Sequence, residues 1–141
     1  MNSLNRFIEA QANSYQNALS EIKKGRKTSH WMWYIFPQIK GLGQSETAKY
    51  YAIQDKEEAE KYLNHPILGM RLIEISKELL KHKAKTASQI FGFPDDLKLH
   101  SSITLFSILT ESDQVFKDIL IAYFGGLSDQ KTIEIVSNKF G

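Results

Sequence analysis

From Leu4 to Ile22 the apolar residues fall at Leu4, Phe7, Ile8, Ala12, Tyr15, Ala18, Leu19 and Ile22. Steps of three and four put them on one face of a helix with 3.6 residues per turn. This spacing predicts one continuous helix, with Ser3 as N-cap and Gly25 as the C′ glycine. The same period recurs along the chain, and no strand-like alternation appears outside residues 28–38.

Later elements are predicted from their punctuation. Ser45 caps a helix running to about Ile53, and Asp55 caps another over Lys56 to Asn64. His65-Pro66 breaks the chain before a helix carrying Ile67, Leu68, Leu72, Ile75, Leu79 and Leu80. Thr86 caps a short turn ending at Gly92. Pro94-Asp95-Asp96 then opens a helix that is apolar nearly all round and so is expected at the centre. Ser112 caps the next, which stops at Gly125-Gly126. Ser128 or Asp129 caps the last, with Ile133, Val136 and Phe140 inward. Residues 29–36 leave helix and extended chain open. Helix is favoured because no other segment offers a strand partner, and a lone strand cannot satisfy its backbone. The expectation is an all-α fold, one compact domain over residues 1–141, with about seven or eight orthogonally packed helices.

Composition narrows the function classes. A chain of 141 residues with 42% hydrophobic and 24% charged residues is one ordinary globular domain. It contains no cysteine, which excludes a disulfide framework, a zinc finger, an iron–sulfur cluster and a thiol nucleophile. Net charge is only +2, and Lys23 to Lys27 is the one short basic concentration, which argues against nucleic acid as partner. The N-terminus lacks an apolar leader core, and no stretch approaches the about 20 apolar residues of a membrane span. A cytoplasmic protein without membrane partner is expected. His30, His65, His82 and His100 are scattered with no metal-ligand spacing, so no metal is expected. Nothing calls for a cofactor.

Three segments carry chemistry. Residues 26–45 hold Lys27, Ser29, His30, Trp31, Trp33, Tyr34 and Gln38. Aromatic walls with a few convergent polar groups make a small-molecule site, although the same residues also suit a packed corner with satisfied indole N–H groups. Gly41-Leu42-Gly43-Gln44-Ser45 leads into a helix start, where backbone amides can receive an anion; it equally suits a plain turn with an N-cap serine. It matches neither the GxxxxGK[ST] loop nor a dinucleotide fingerprint. Lys98, Ser101 and Ser102 share a face of an otherwise apolar helix and need partners there: an anionic ligand, or a salt bridge, with Asp95 or Asp96 nearest in sequence, and back-bonded serines. Their K-x-x-S order is not the S-x-x-K of penicillin-recognising enzymes.

Gly25-Arg26-Lys27-x-Ser29-His30-Trp31-Met32-Trp33-Tyr34-Ile35-Phe36-Pro37-Gln38, Gly41-Leu42-Gly43-x-Ser45, Tyr51-Ala52-Ile53, His65-Pro66-x-Leu68-Gly69 and Lys98-x-x-Ser101-Ser102-x-Thr104-Leu105-Phe106 together resemble the bacterial domain-of-unknown-function family eighteen-ten, from Leu4 to Phe140. Its members often carry the label "calpastatin". The resemblance implies a small all-helical domain and no established activity. Calpastatin acts through disordered segments, which this globular composition does not match.

The family motifs coincide with the three segments, so a shared site is expected there. Its ligand would be a small anion of nucleotide-like type. Trp31 or Trp33 and Tyr34 would stack a planar group. Lys27, Ser29, Gln38, the Gly41, Gly43 and Ser45 loop, Lys98, and Ser101 or Ser102 would hold charge. His30 would serve as general acid or base. The alternative is a protein-interaction or inhibitor module with a Trp-rich surface. A concave site favours the first, and a flat exposed tryptophan patch the second.

Overall fold

The computed structural model describes residues 4–140, with side chains through residue 138. The expected cap at Ser3 and the inward side chain of Phe140 lie outside the described residues. Ten α-helices and one 3₁₀ turn are found among the described residues, more than the seven or eight expected. The fold is all-α.

The first predicted helix is two: α1 (Asn5–Ala12) and α2 (Tyr15–Lys23). The break lies at Asn13 and Ser14, where the Ser14 hydroxyl donates back to the Ala10 carbonyl at 2.9 Å. Serine offers the backbone this alternative to the helical ladder. The apolar stripe continues across the break, since Phe7, Tyr15, Ala18 and Ile22 are all buried. Gly25 ends α2 with φ +80°, as its position predicts.

The Trp segment supplies one turn only, α3 (Met32–Ile35). Pro37 follows, and Ile39 forms an isolated parallel bridge with Ile53. That bridge ties the glycine loop to the chain after α4 (Glu46–Tyr51). Next come α5 (Lys56–Asn64), α6 (Leu68–Leu79), a 3₁₀ turn (Leu80–His82) and α7 (Ala87–Phe91). Ser45 and Asp55 cap α4 and α5 as expected, and Thr86 with Gln89 builds a full capping box on α7. The chain finishes with α8 (Asp95–Ser107), α9 (Gln114–Phe124) and α10 (Gln130–Phe140). Asp113, not Ser112, caps α9, accepting from the Val115 N–H at 2.8 Å. The Ser112 hydroxyl instead donates to the Asp113 carbonyl at 3.3 Å, and Asp113, next to the helix, supplies the cap. Asp129 caps α10 through the Thr132 N–H at 3.1 Å.

Helix α8 is the hub. Leu99 and residues 101–107 are all buried, and α5, α7, α9 and α10 pack on it. Leu97, at its start, is exposed. Helix α6 bridges α2, α5 and α9. A buried ion pair locks α1 to α5: the Arg6 guanidinium meets Glu58 at 3.0 and 3.2 Å and also donates to the Ala52 carbonyl at 2.7 Å.

Candidate functional site

Between α3 and the start of α8, charge is concentrated on one carboxylate. Lys27 Nζ lies 2.8 Å from Asp95 Oδ2, and Lys98 Nζ lies 3.5 Å from Asp95 Oδ1. Asp95 is held by its place in the first turn of α8, where a negative charge suits the helix dipole. Each ammonium also sits over a tryptophan: Lys27 is 5.0 Å from the Trp31 ring centre, and Lys98 is 4.9 Å from that of Trp33. The two cations are not equivalent. The Lys27 side chain is 7% exposed and also donates to the Ser29 carbonyl, whereas that of Lys98 is 26% exposed with a longer ion pair. Two cations on one carboxylate leave a local surplus of one positive charge, and Lys98 is the outer member.

Lys98 reaches over a crevice lined by Trp33, Gln38, Gly43, Ala48 and Tyr51. The three sequence segments therefore do meet: the Trp segment through Trp33 and Gln38, the glycine loop through Gly43, and α8 through Lys98. The interior void is small, about 10 Å³, close to the least that holds one water. Gly43 is explained by packing, because a Cβ there would overlap the Cβ of Ala48. Gly41, at φ +108°, takes a conformation that side chains rarely adopt. Ser45 spends its hydroxyl oxygen on the Ala48 N–H at 3.1 Å, inside its own helix.

The remaining residues are engaged elsewhere. Trp31 is 1% exposed, and its indole N–H donates to Glu21 Oε1 at 2.9 Å. The same oxygen accepts from the N–H groups of Thr28 at 2.7 Å and Ser29 at 3.0 Å. Burial alone would raise the Glu21 carboxyl. Hydrogen bonds from the Ser29 hydroxyl, the Thr28 N–H, the Trp31 ring and the Ser29 N–H outweigh it and hold the pKa at about 2. Trp31 and Ser29 thus anchor the segment to α2. Tyr34 donates to Ser14 Oγ at 3.1 Å, and its ring faces Tyr51 at 5.3 Å. His30 is exposed, with no hydrogen-bond partner among the described residues. Ser101 donates back to the Leu97 carbonyl at 3.1 Å and approaches Asp129 at 3.3 Å, so it faces α10. The Ser102 hydroxyl is buried with no partner and does not line the crevice.

Sequence reasoning missed Glu21, Lys27 as the second partner of Asp95, Ala48 and Tyr51. Asp95 was in view as a partner of Lys98, since it sits three residues before it, a spacing that pairs charges on a helix. Among the described residues no group of three or more His, Asp or Glu side chains is placed to hold a metal ion, and no helix is long and apolar enough to cross a membrane.

The family described as "Protein of unknown function (DUF1810)" matches residues 1–136. The chain belongs to that family. Among solved structures it is similar to the conserved hypothetical protein Rv1873 from Mycobacterium tuberculosis, at 44% sequence identity and a TM-score of 0.93. The match covers 95% of this chain and 96% of that one. No curated protein matches.

Proposed function

We propose that this DUF1810 domain binds a small anionic ligand at the Lys98 crevice. The observation that supports this most is the charge balance at Asp95. Lys27 alone neutralises that carboxylate at 2.8 Å, so Lys98 holds a positive charge that the fold does not need for balance. That charge stands over the half-buried Trp33 ring, beside the amide of Gln38. An anion at the crevice mouth would meet Lys98, and a planar group on it would lie against Trp33.

The interior void is too small for a whole nucleotide, so the ligand engages the mouth, or the Gly41 to Ser45 loop shifts to admit it. No reaction is proposed: His30 is exposed and lacks a partner that would orient it as an acid or base. A flat double-tryptophan docking surface is disfavoured, because Trp31 is buried.

The test is a thermal-shift screen against nucleotides, sugar phosphates and small carboxylates. A ligand at 100 times its dissociation constant adds about 2.7 kcal/mol of stability. A screen silent across all three classes rejects the reading.

A further inference from the structure

We infer that a second cleft, outside the Lys98 crevice, is a binding site for a phosphate-type dianion, with Arg26 and Lys85 as its charged groups. The cleft runs between the end of α2 and the α7 segment as an open depression of about 330 Å³. Three cationic residues line it, Arg26, Lys27 and Lys85, and no acidic side chain does.

The hydrogen-bonding inventory is one-sided. Lys27 is committed to Asp95 and the Ser29 carbonyl. Lys85 donates one hydrogen to the Gly25 carbonyl at 3.0 Å, and an ammonium has three to give. The exposed Arg26 guanidinium, with five donors in a planar fork, has no side-chain partner among the described residues. Gln89 uses its amide oxygen on the Thr86 N–H at 2.8 Å, which leaves its NH₂ as the free end. Ser88 adds an exposed hydroxyl. The Ile90 carbonyl, a backbone acceptor of this wall, is occupied by the Lys27 N–H at 2.8 Å.

The cleft therefore presents donors and surplus positive charge, and its acceptors are largely used. A tetrahedral oxyanion has the complementary chemistry: several acceptor oxygens, no obligatory donor and a double negative charge. The Lys85 bond to Gly25 brings its ammonium beside the residue that precedes Arg26. Two cationic side chains thus line one cleft whose lining carries no acidic side chain, an arrangement that a dianion relieves. The phosphate group is either free or carried as a monoester on a small molecule; the recognition chemistry is shared.

The experiment is a titration of the whole chain with inorganic phosphate, and separately with a simple phosphate monoester, at constant ionic strength in chloride, followed by amide NMR. The expected result is saturable shifts at residues 26–27 and 88–92. Arg26→Gln/Lys85→Gln should weaken the binding read at residues 26–27 and 88–92 at least about tenfold, while Lys98→Met removes only shifts at residues 33–45. Tighter binding of the monoester marks a carried phosphate, and equal binding marks the free ion; both support the site. No saturable shift in either titration overturns it. So do shifts confined to residues 33–45 and Lys98, or binding undiminished in the double variant. Because Lys98→Met is carried in parallel, failure of this cleft is separate from failure of the Lys98 crevice. Glutamine can still donate to the Gly25 carbonyl, and an unchanged amide spectrum away from the cleft verifies the fold of the double variant.

Discussion

The indole N–H of Trp31 donates to the buried carboxylate of Glu21 at 2.9 Å, tying the aromatic segment to α2. Glu21 is 7% exposed and accepts from the Asn17 amide and the Ser29 hydroxyl as well as the Trp31 ring and the backbone N–H groups of Thr28 and Ser29. This contact places Trp33, and not Trp31, at the mouth of the crevice.

Acid should dissolve that anchor. The Glu21 carboxyl has a folded pKa of about 2 against an ordinary 4.5. Its stabilisation is therefore complete above about pH 4.5 and is lost as pH falls from there towards 2. The gap is worth roughly 3 kcal/mol at neutral pH. Urea unfolding of the wild type and Glu21→Gln across this range checks it. The variant is expected to be less stable at pH 7, and the difference should shrink as pH approaches 2. A difference independent of pH would refute the assignment.

Arg6→Met should be among the most damaging single changes. It leaves Glu58 buried and charged, with the Ala52 carbonyl losing a donor. Breaking a buried pair from one side costs about 3–5 kcal/mol. Chemical denaturation measures it, and a loss below about 1 kcal/mol would show that the pair is not a structural clamp.

Gly43→Ala tests whether packing holds the shape of the glycine loop. The new methyl would overlap Ala48, so the loop or α4 must move, at a cost of about 1–3 kcal/mol. In Gly43→Ala/Ala48→Gly the loss should be smaller than the sum of the two single losses, because Ala48→Gly removes the overlap while costing about 0.5–1 kcal/mol of its own in α4; a double-mutant cycle measures it. Additive losses would place the strain elsewhere.

Local punctuation was the most readable part of the sequence. Ser45, Asp55 and Thr86 cap the helices they were expected to cap, because a cap is decided by a side chain and an N–H two or three residues away. The burial of α8 followed from its all-round apolar surface. The break at Ser14 did not show, because the apolar period runs through it unchanged. The Lys98–Asp95 pair lies within one helical turn and was within reach of sequence reasoning. Lys27 as the second partner was not, and neither was Glu21 beneath Trp31. Polar partners joined only by the tertiary fold leave no periodic trace, and Ser101 turning to Asp129 is a further case.

The two lysines on Asp95 separate fold from function. Lys27→Met removes the nearly buried partner and should cost about 3 kcal/mol. Lys98→Met leaves Asp95 paired with Lys27 and keeps the packing of the stem on Trp33, so the loss should stay within about 1 kcal/mol. Paired denaturation curves decide the order, and equal losses would contradict it.

The most direct measurement is the thermal shift of Lys98→Met against the anions that stabilise the wild type, with both chains carrying Arg26→Gln/Lys85→Gln so that the other cleft is silent. At least one nucleotide, sugar phosphate or small carboxylate is expected to raise the Tm of the chain with Lys98. Lys98→Met should melt within a few degrees of that chain and give no shift. A Lys98→Met protein that keeps its full ligand shift would show that Lys98 does not hold the anion.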